Sequence, residues 1–127
     1  MTEQIVSALR LSILIGASYA ETITWKSEGV LVPFPIGTTA EIKVRPTLAS
    51  ETVLLRFSTS PSATDGLLVL VDPGVLELSL TDEQTEVLSP VCDAVFDIKY
   101  SFPTGQDVVK LTDGKGLVDI HLIVTRP

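Results

Sequence analysis

Cys92 and His121 are the residues from which a nucleophile and its base would have to be drawn, because the 127-residue chain holds one of each. Covalent catalysis needs such a pair within hydrogen-bond reach, and the sequence names no partner for His121. A single Cys makes neither an intrachain disulfide nor a thiolate metal site. Free Cys commonly packs as a small buried side chain, and that is the role expected of Cys92. His121 falls on a polar strand face with Asp119 and Thr125, where a surface role is expected. Asp65, Asp72 and Asp82 lie in loop-like stretches. Calcium needs six or more oxygen ligands, and their spacing matches no calcium loop. There is no Gly-x-Ser-x-Gly elbow, no phosphate-cradling glycine loop and no metal-ligand pair. A glycosidase needs two facing carboxylates, but sixteen acidic residues make chance pairs common and single out none. The expectation is a non-enzymatic chain with no cofactor and no metal.

Composition narrows the partners. The formal net charge is −7, and the nine basic residues are spread thinly along the sequence without a cluster. Nucleic-acid binding needs a basic stripe to neutralise phosphates, so no nucleic-acid contact is expected. The acidity suits docking onto a basic neighbour. No segment reaches the roughly 20 apolar residues of a membrane span, so no membrane partner is expected. Leu11 to Ala17 followed by Ser18-Tyr19-Ala20 has something of a secretory signal. However, the opening Met1-Thr2-Glu3-Gln4 carries an acid and no base, and the apolar run is short. Alternation of Leu9, Leu11, Ile13 and Ile15 favours a strand.

The elements that would position any site are almost all strands. Ala94, Phe96, Ile98 and Tyr100 share one face of 93–102, and Val118, Ile120, Leu122 and Val124 share one face of 116–125. Period-2 alternation marks a half-buried strand. Further strands are expected over 8–15, 18–26, 38–45, 52–58 and 107–112. Residues 67–80 read as a hairpin turning at Asp72-Pro73-Gly74. The continuous apolar run Leu67 to Val71 predicts a buried strand. Pro33-Phe34-Pro35-Ile36-Gly37 breaks pairing and predicts a loop between sheets. Thr81 with Gln84 three residues on has capping-box form, which predicts one helix of two turns at most. Strands at this spacing imply an all-β fold, a two-sheet antiparallel immunoglobulin-like sandwich with one short helix. The chain reads as one domain over 1–127.

The order of motifs carries a resemblance. Ile15-Gly16 and a Trp-bearing strand are followed by a Pro-rich stretch and then Thr39-Ala40-Glu41-Ile42-Lys43-Val44-Arg45. Next come Gly74-Val75-Leu76-Glu77-Leu78-Ser79-Leu80-Thr81, then Glu83 to Leu88, Phe96-Asp97-Ile98, Val109-Lys110-Leu111, Gly116 and Ile123-Val124-Thr125-Arg126. From about Ile13 to Arg126 this resembles the small β-sandwich domain of tailed-phage virion proteins, typified by the N-terminal domain of the baseplate upper protein. Phe96-Asp97 stands where the family has a Tyr-Asp pair, and Leu31 to Gly37 departs from its usual turn. The resemblance implies a virion location and a structural or adaptor role in the tail, baseplate or fibre attachment. Partners would be other virion proteins and the chain itself, as a homo-oligomer in a symmetric ring. A head-decoration or neck protein is the nearest variant, and a free-standing surface or carbohydrate-binding module is the alternative from another class.

Candidate interface residues follow. Leu9, Leu11 and Ile13 belong to an N-terminal segment, 1–15, able to act as an exchanging strand or arm. Trp25 is of a type enriched at interfaces, Phe34 sits in the proline-rich loop, and Asp97 is placed for an intersubunit hydrogen bond.

Overall fold

A computed structural model of the protein describes residues 4–6, 10–27, 29–47, 49–105, 107–111 and 116–122. Among the described residues, eleven strands and one helix succeed one another: β1 (Gln4–Val6), β2 (Arg10–Ile15), β3 (Tyr19–Ser27), β4 (Val30–Leu31), β5 (Thr39–Arg45), β6 (Leu55–Ser58), β7 (Gly66–Val71), β8 (Val75–Leu80), α1 (Asp82–Glu86), β9 (Val91–Ser101), β10 (Asp107–Leu111) and β11 (Leu117–Leu122). The all-β expectation holds, with the single short helix in its place. Alternation located the long strands. The two-residue β4 and three-residue β1 are too short to show a period.

Pairing runs along one path, β1-β3-β8-β7-β6-β5-β9-β11-β2, with β10 beside β9 and β4 beside β3. Two neighbours on this path are parallel, β6 with β7 and β11 with β2. The sheet is therefore mixed, which corrects the purely antiparallel expectation. Residue 59–65 returns the chain before β7 starts, so Phe57 lies opposite Gly66 and the two strands run the same way. Alternation reports which face a residue takes, not which way its neighbour runs.

The path curls on itself. Trp25 of β3 stacks on Tyr100 of β9 at 4.2 Å and 14°, although four strands separate β3 from β9 along the path. The core lies inside this curl: Leu11 and Ile13 from β2, Ile23 and Trp25 from β3, Ile42 and Val44 from β5, Leu76 and Leu78 from β8, Phe96 and Ile98 from β9, and Val118 from β11. Both ends of the path, β1 and β2, are brief and consecutive in the chain, which limits the unpaired backbone that an edge strand exposes.

Register sets direction. The turns around Gly29–Thr38, Asp72–Gly74 and Phe102–Gly105 gather at one end, and Gly16–Ser18 and α1 lie at the other. Helix α1 forms for the reason its sequence announces. The Thr81 hydroxyl accepts from Gln84 N at 3.1 Å, and Gln84 Oε1 accepts from Thr81 N at 2.9 Å. Thr85 is fully buried and ties the helix to the β2–β3 turn, its Oγ1 accepting from Gly16 N at 3.0 Å. Thr81→Ala is expected to destabilise the fold by about 1 kcal/mol, the usual worth of an N-cap, in chemical denaturation.

One strand differs from its expected burial. Leu67, Val69 and Val71 of β7 are about 40% exposed, while Leu68 is buried. The run is apolar throughout, yet only one face of β7 meets the core, because no other described element covers the sheet there.

Candidate interaction surfaces

Three strands bring ionisable groups together at one edge. Arg10 opens β2, which lies parallel to β11 with Arg10 opposite Leu117 and Ser12 opposite Asp119. The Arg10 guanidinium is thereby carried over the Asp119 carboxylate, where Nη1 donates to Oδ2. Its Nη2 donates to Asp93 Oδ1 of β9 at 3.1 Å. The other Asp119 oxygen accepts from Asp93 N at 2.8 Å. This last bond is possible because Asp93 adopts a left-handed φ of 57°, opposite a register shift between Val118 and Ile120. The backbone amide and the guanidinium hold the Asp119 carboxyl below its ordinary value, and the same pairing raises the pKa of Arg10.

The left-handed turn at Asp93 also accounts for a correction. Cys92 was expected to be buried, and it is exposed. Alternation fails at this point: Cys92 and Asp93 both face outward before Ala94 turns in. The acidic neighbours Asp93 and Asp119 raise the thiol pKa, which opposes the thiolate a nucleophile requires. Cys92, Asp93 and Asp119 place three potential ligand atoms within 4.8 Å of one another. The guanidinium of Arg10 already occupies the field of both carboxylates. The arrangement works as a clamp between β2, β9 and β11. His121 is exposed further along β11.

The clamp has a pH consequence. Asp119 has a depressed folded-state pKa, so its contribution is complete above the unfolded carboxylate value and is lost as pH falls through the folded value. Wild-type stability is therefore expected to fall on acidification below about pH 4, the ordinary carboxylate range. Asp119→Asn should flatten that part of the profile in urea titrations at stepped pH. Profiles that coincide for the two proteins would refute the role given to Asp119.

The sequence-derived interface residues fall into three groups. Leu11, Ile13, Trp25 and Phe34 are buried in the core. Asp97 is half-buried on the outer face of β9, with Oδ2 accepting from Arg45 Nη1 at 3.5 Å. Leu9 lies outside the described residues. Burial of Phe34 is part of a device: its N–H donates to Asp72 Oδ1 at 2.7 Å, and its ring packs 5.9 Å from both Trp25 and Tyr100. Two residues on, Ile36 is 99% exposed on a turn that Thr38 closes onto Pro35 O.

A surface that sequence reading missed spans β6, β5 and β9. Side chains opposite the core on these strands are Arg56, then Glu41, Lys43 and Arg45, then Asp97 and Lys99. The patch holds four of the nine basic residues and only two of the sixteen acids. Lys43 reaches Glu41 at 3.5 Å, Arg56 reaches Glu41 at 3.8 Å and Arg45 reaches Asp97 at 3.5 Å. The expectation of no basic cluster is thus corrected in space. Alternation puts Lys43 and Arg45 on one face, but only the lateral pairing, Lys43 with Arg56 and Glu41 with Lys99, gathers the rest.

No family model matches the chain, and no curated protein matches it in sequence. Among solved structures, murine CRIg is similar with a TM-score of 0.53 at 8% identity, covering 96% of this chain and 99% of that one. A chain from a structure on T cell specificity and activation by the bacterial superantigen toxic shock syndrome toxin-1 covers 97% of this chain and 100% of its own, at 9% identity. Its TM-score of 0.48 is too low to carry an argument. At such identities the likeness to CRIg speaks of fold alone. What it shows is an immunoglobulin-like β fold, reached here by a curled mixed sheet.

Proposed function

We propose that this chain is a non-enzymatic structural component of a tailed-phage virion, an adaptor of the tail, baseplate or fibre-attachment apparatus. On this reading the two halves of the curled sheet pack as the layers of a sandwich, and the protein acts through its outer faces. The observation that carries an assembly role is the uneven distribution of charge. A protein of net charge −7 sets four cations on one sheet face, and such segregation steers and orients protein partners. The virion setting is supported by the sequence resemblance to the baseplate upper protein domain. Head decoration or a neck position are variants of the same role.

The test is made on particles. Virions banded in a density gradient, from lysates of cells carrying the gene, should contain tryptic peptides of this chain at a fixed ratio to the major capsid protein. Those peptides should persist after a detergent wash. Gradient-pure, infectious particles without them would overturn the proposal.

A further inference from the structure

The cationic face of β6, β5 and β9 has a counterpart on the same molecule. Helix α1 lies at the end away from the Phe34 turn, and its Asp82, Glu83 and Glu86 are all exposed. No basic residue stands in its last turn. Val87, which caps the helix, is 82% exposed beside these acids. Val87 shares an open groove with Val53, Leu54 and Leu88, an apolar patch beside these acids of the kind a protein contact uses. The cationic face is matched to it in sign. Its Glu41 and Asp97 are each already engaged by basic neighbours on the same face, Glu41 by Lys43 and Arg56 and Asp97 by Arg45. At one end of the face an open cavity of about 270 Å³ lies between Ser58–Ser60 and Lys99 and Ser101.

We infer that the α1 end of one copy docks on the β6-β5-β9 face of a second copy, with Glu83 and Glu86 set against Lys43 and Lys99. The two surfaces adjoin, with Arg56 of the face and Val87 of the α1 end lining one groove. Reciprocal use of both surfaces closes a two-fold dimer, and use of one per contact builds a ring or an open chain. This deepens the assembly role proposed above and rests on the same segregation of charge.

Sedimentation velocity over a roughly tenfold range of protein concentration tests it, at about 50 mM and about 500 mM salt, since screening weakens exposed pairs. Association is expected at low salt and about tenfold weaker at high salt. Lys43→Glu with Lys99→Glu should weaken it by about tenfold or more, and so should Glu83→Lys with Glu86→Lys. Mixing the two double variants should restore association, because each intact surface meets its intact counterpart and each reversed surface its reversed counterpart. Combining all four substitutions in one chain should restore assembly. The α1 substitutions lie on exposed positions, so that arm stands even if the sheet-face variant does not fold. A monomer under every condition overturns the inference, as does association indifferent to salt or to either pair of reversals. If the chain is monomeric yet present in virions, the self-contact falls and the structural role stands.

Discussion

Trp25→Ala is expected to destabilise the protein by about 3–5 kcal/mol, the range for removing a large buried aromatic. Trp25 is 2% exposed and is the largest side chain in the core. Its ring lies against Tyr100 at 4.2 Å, with Phe34 5.9 Å from both. Tyr100 in turn stacks on Phe102 at 6.5 Å. The four rings join β3, the Phe34 loop and the end of β9, so a cavity at Trp25 removes contacts from both sides of the curl at once. Stacked pairs add roughly 0.5–1.5 kcal/mol beyond buried area, which places the cost in the upper part of that range. A domain stable by about 5–15 kcal/mol would lose a large share of its stability. Urea unfolding followed by far-UV circular dichroism reads the loss. A change below about 1.5 kcal/mol would mean that the cluster is not cohesive in solution, since even a well-relaxed cavity of this size exceeds it.

The second large effect is expected at Gly66, the first residue of β7. A Cβ added there would lie 2.5 Å from Phe57 Cδ2, 2.7 Å from Phe57 Cε2 and 2.8 Å from Leu80 Cδ2. The ring of Phe57 is fully buried and has no free end to move. Gly66→Ala should cost about 1–3 kcal/mol by overpacking, even though alanine ordinarily favours the folded chain at glycine positions. The contrast is with Gly29, where a Cβ meets nothing within 4 Å but φ is +80°. Substitution there would strain backbone and displace no neighbour. Thermal unfolding of Gly66→Ala alongside wild type decides the matter, and an unchanged or raised Tm would show that β6 and β7 are not so closely apposed.

Residues 58–66 are all Ser, Thr, Pro, Ala, Asp or Gly and read as a loop that ends at Gly66, but the close packing there is not legible, for a general reason. A loop of Ser, Thr, Pro, Ala, Asp and Gly announces its own flexibility, but close approach of one strand to another depends on partners far away. Within an element the sequence was legible. Ala40, Ile42 and Val44 are buried as their alternation requires, and the Thr81–Gln84 box caps α1. Between elements it was not. Parallel pairing of β6 with β7 and the gathering of Arg56, Lys43 and Lys99 are properties of lateral register, which no single strand encodes. The Arg10–Asp119 clamp was missed for the same reason. Each residue reads alone as a solvated charge on a strand face, and only the pairing of β2 with β11 makes them partners.

That clamp also bears on the order in which the molecule is made. Arg10 and Asp119 are 109 positions apart. At a synthesis rate of about 5–20 residues per second, β2 leaves the ribosome roughly 5 to 20 seconds before β11 exists to receive it. Through that interval Leu11 and Ile13 carry apolar surface with no strand beside them on that edge. Non-local parallel pairing forms slowly even once both strands are present. The emerging chain therefore holds an open, adhesive strand for most of its synthesis. A crowded polysome, with many such chains side by side, is where exchange of that strand between neighbours would have its best opportunity.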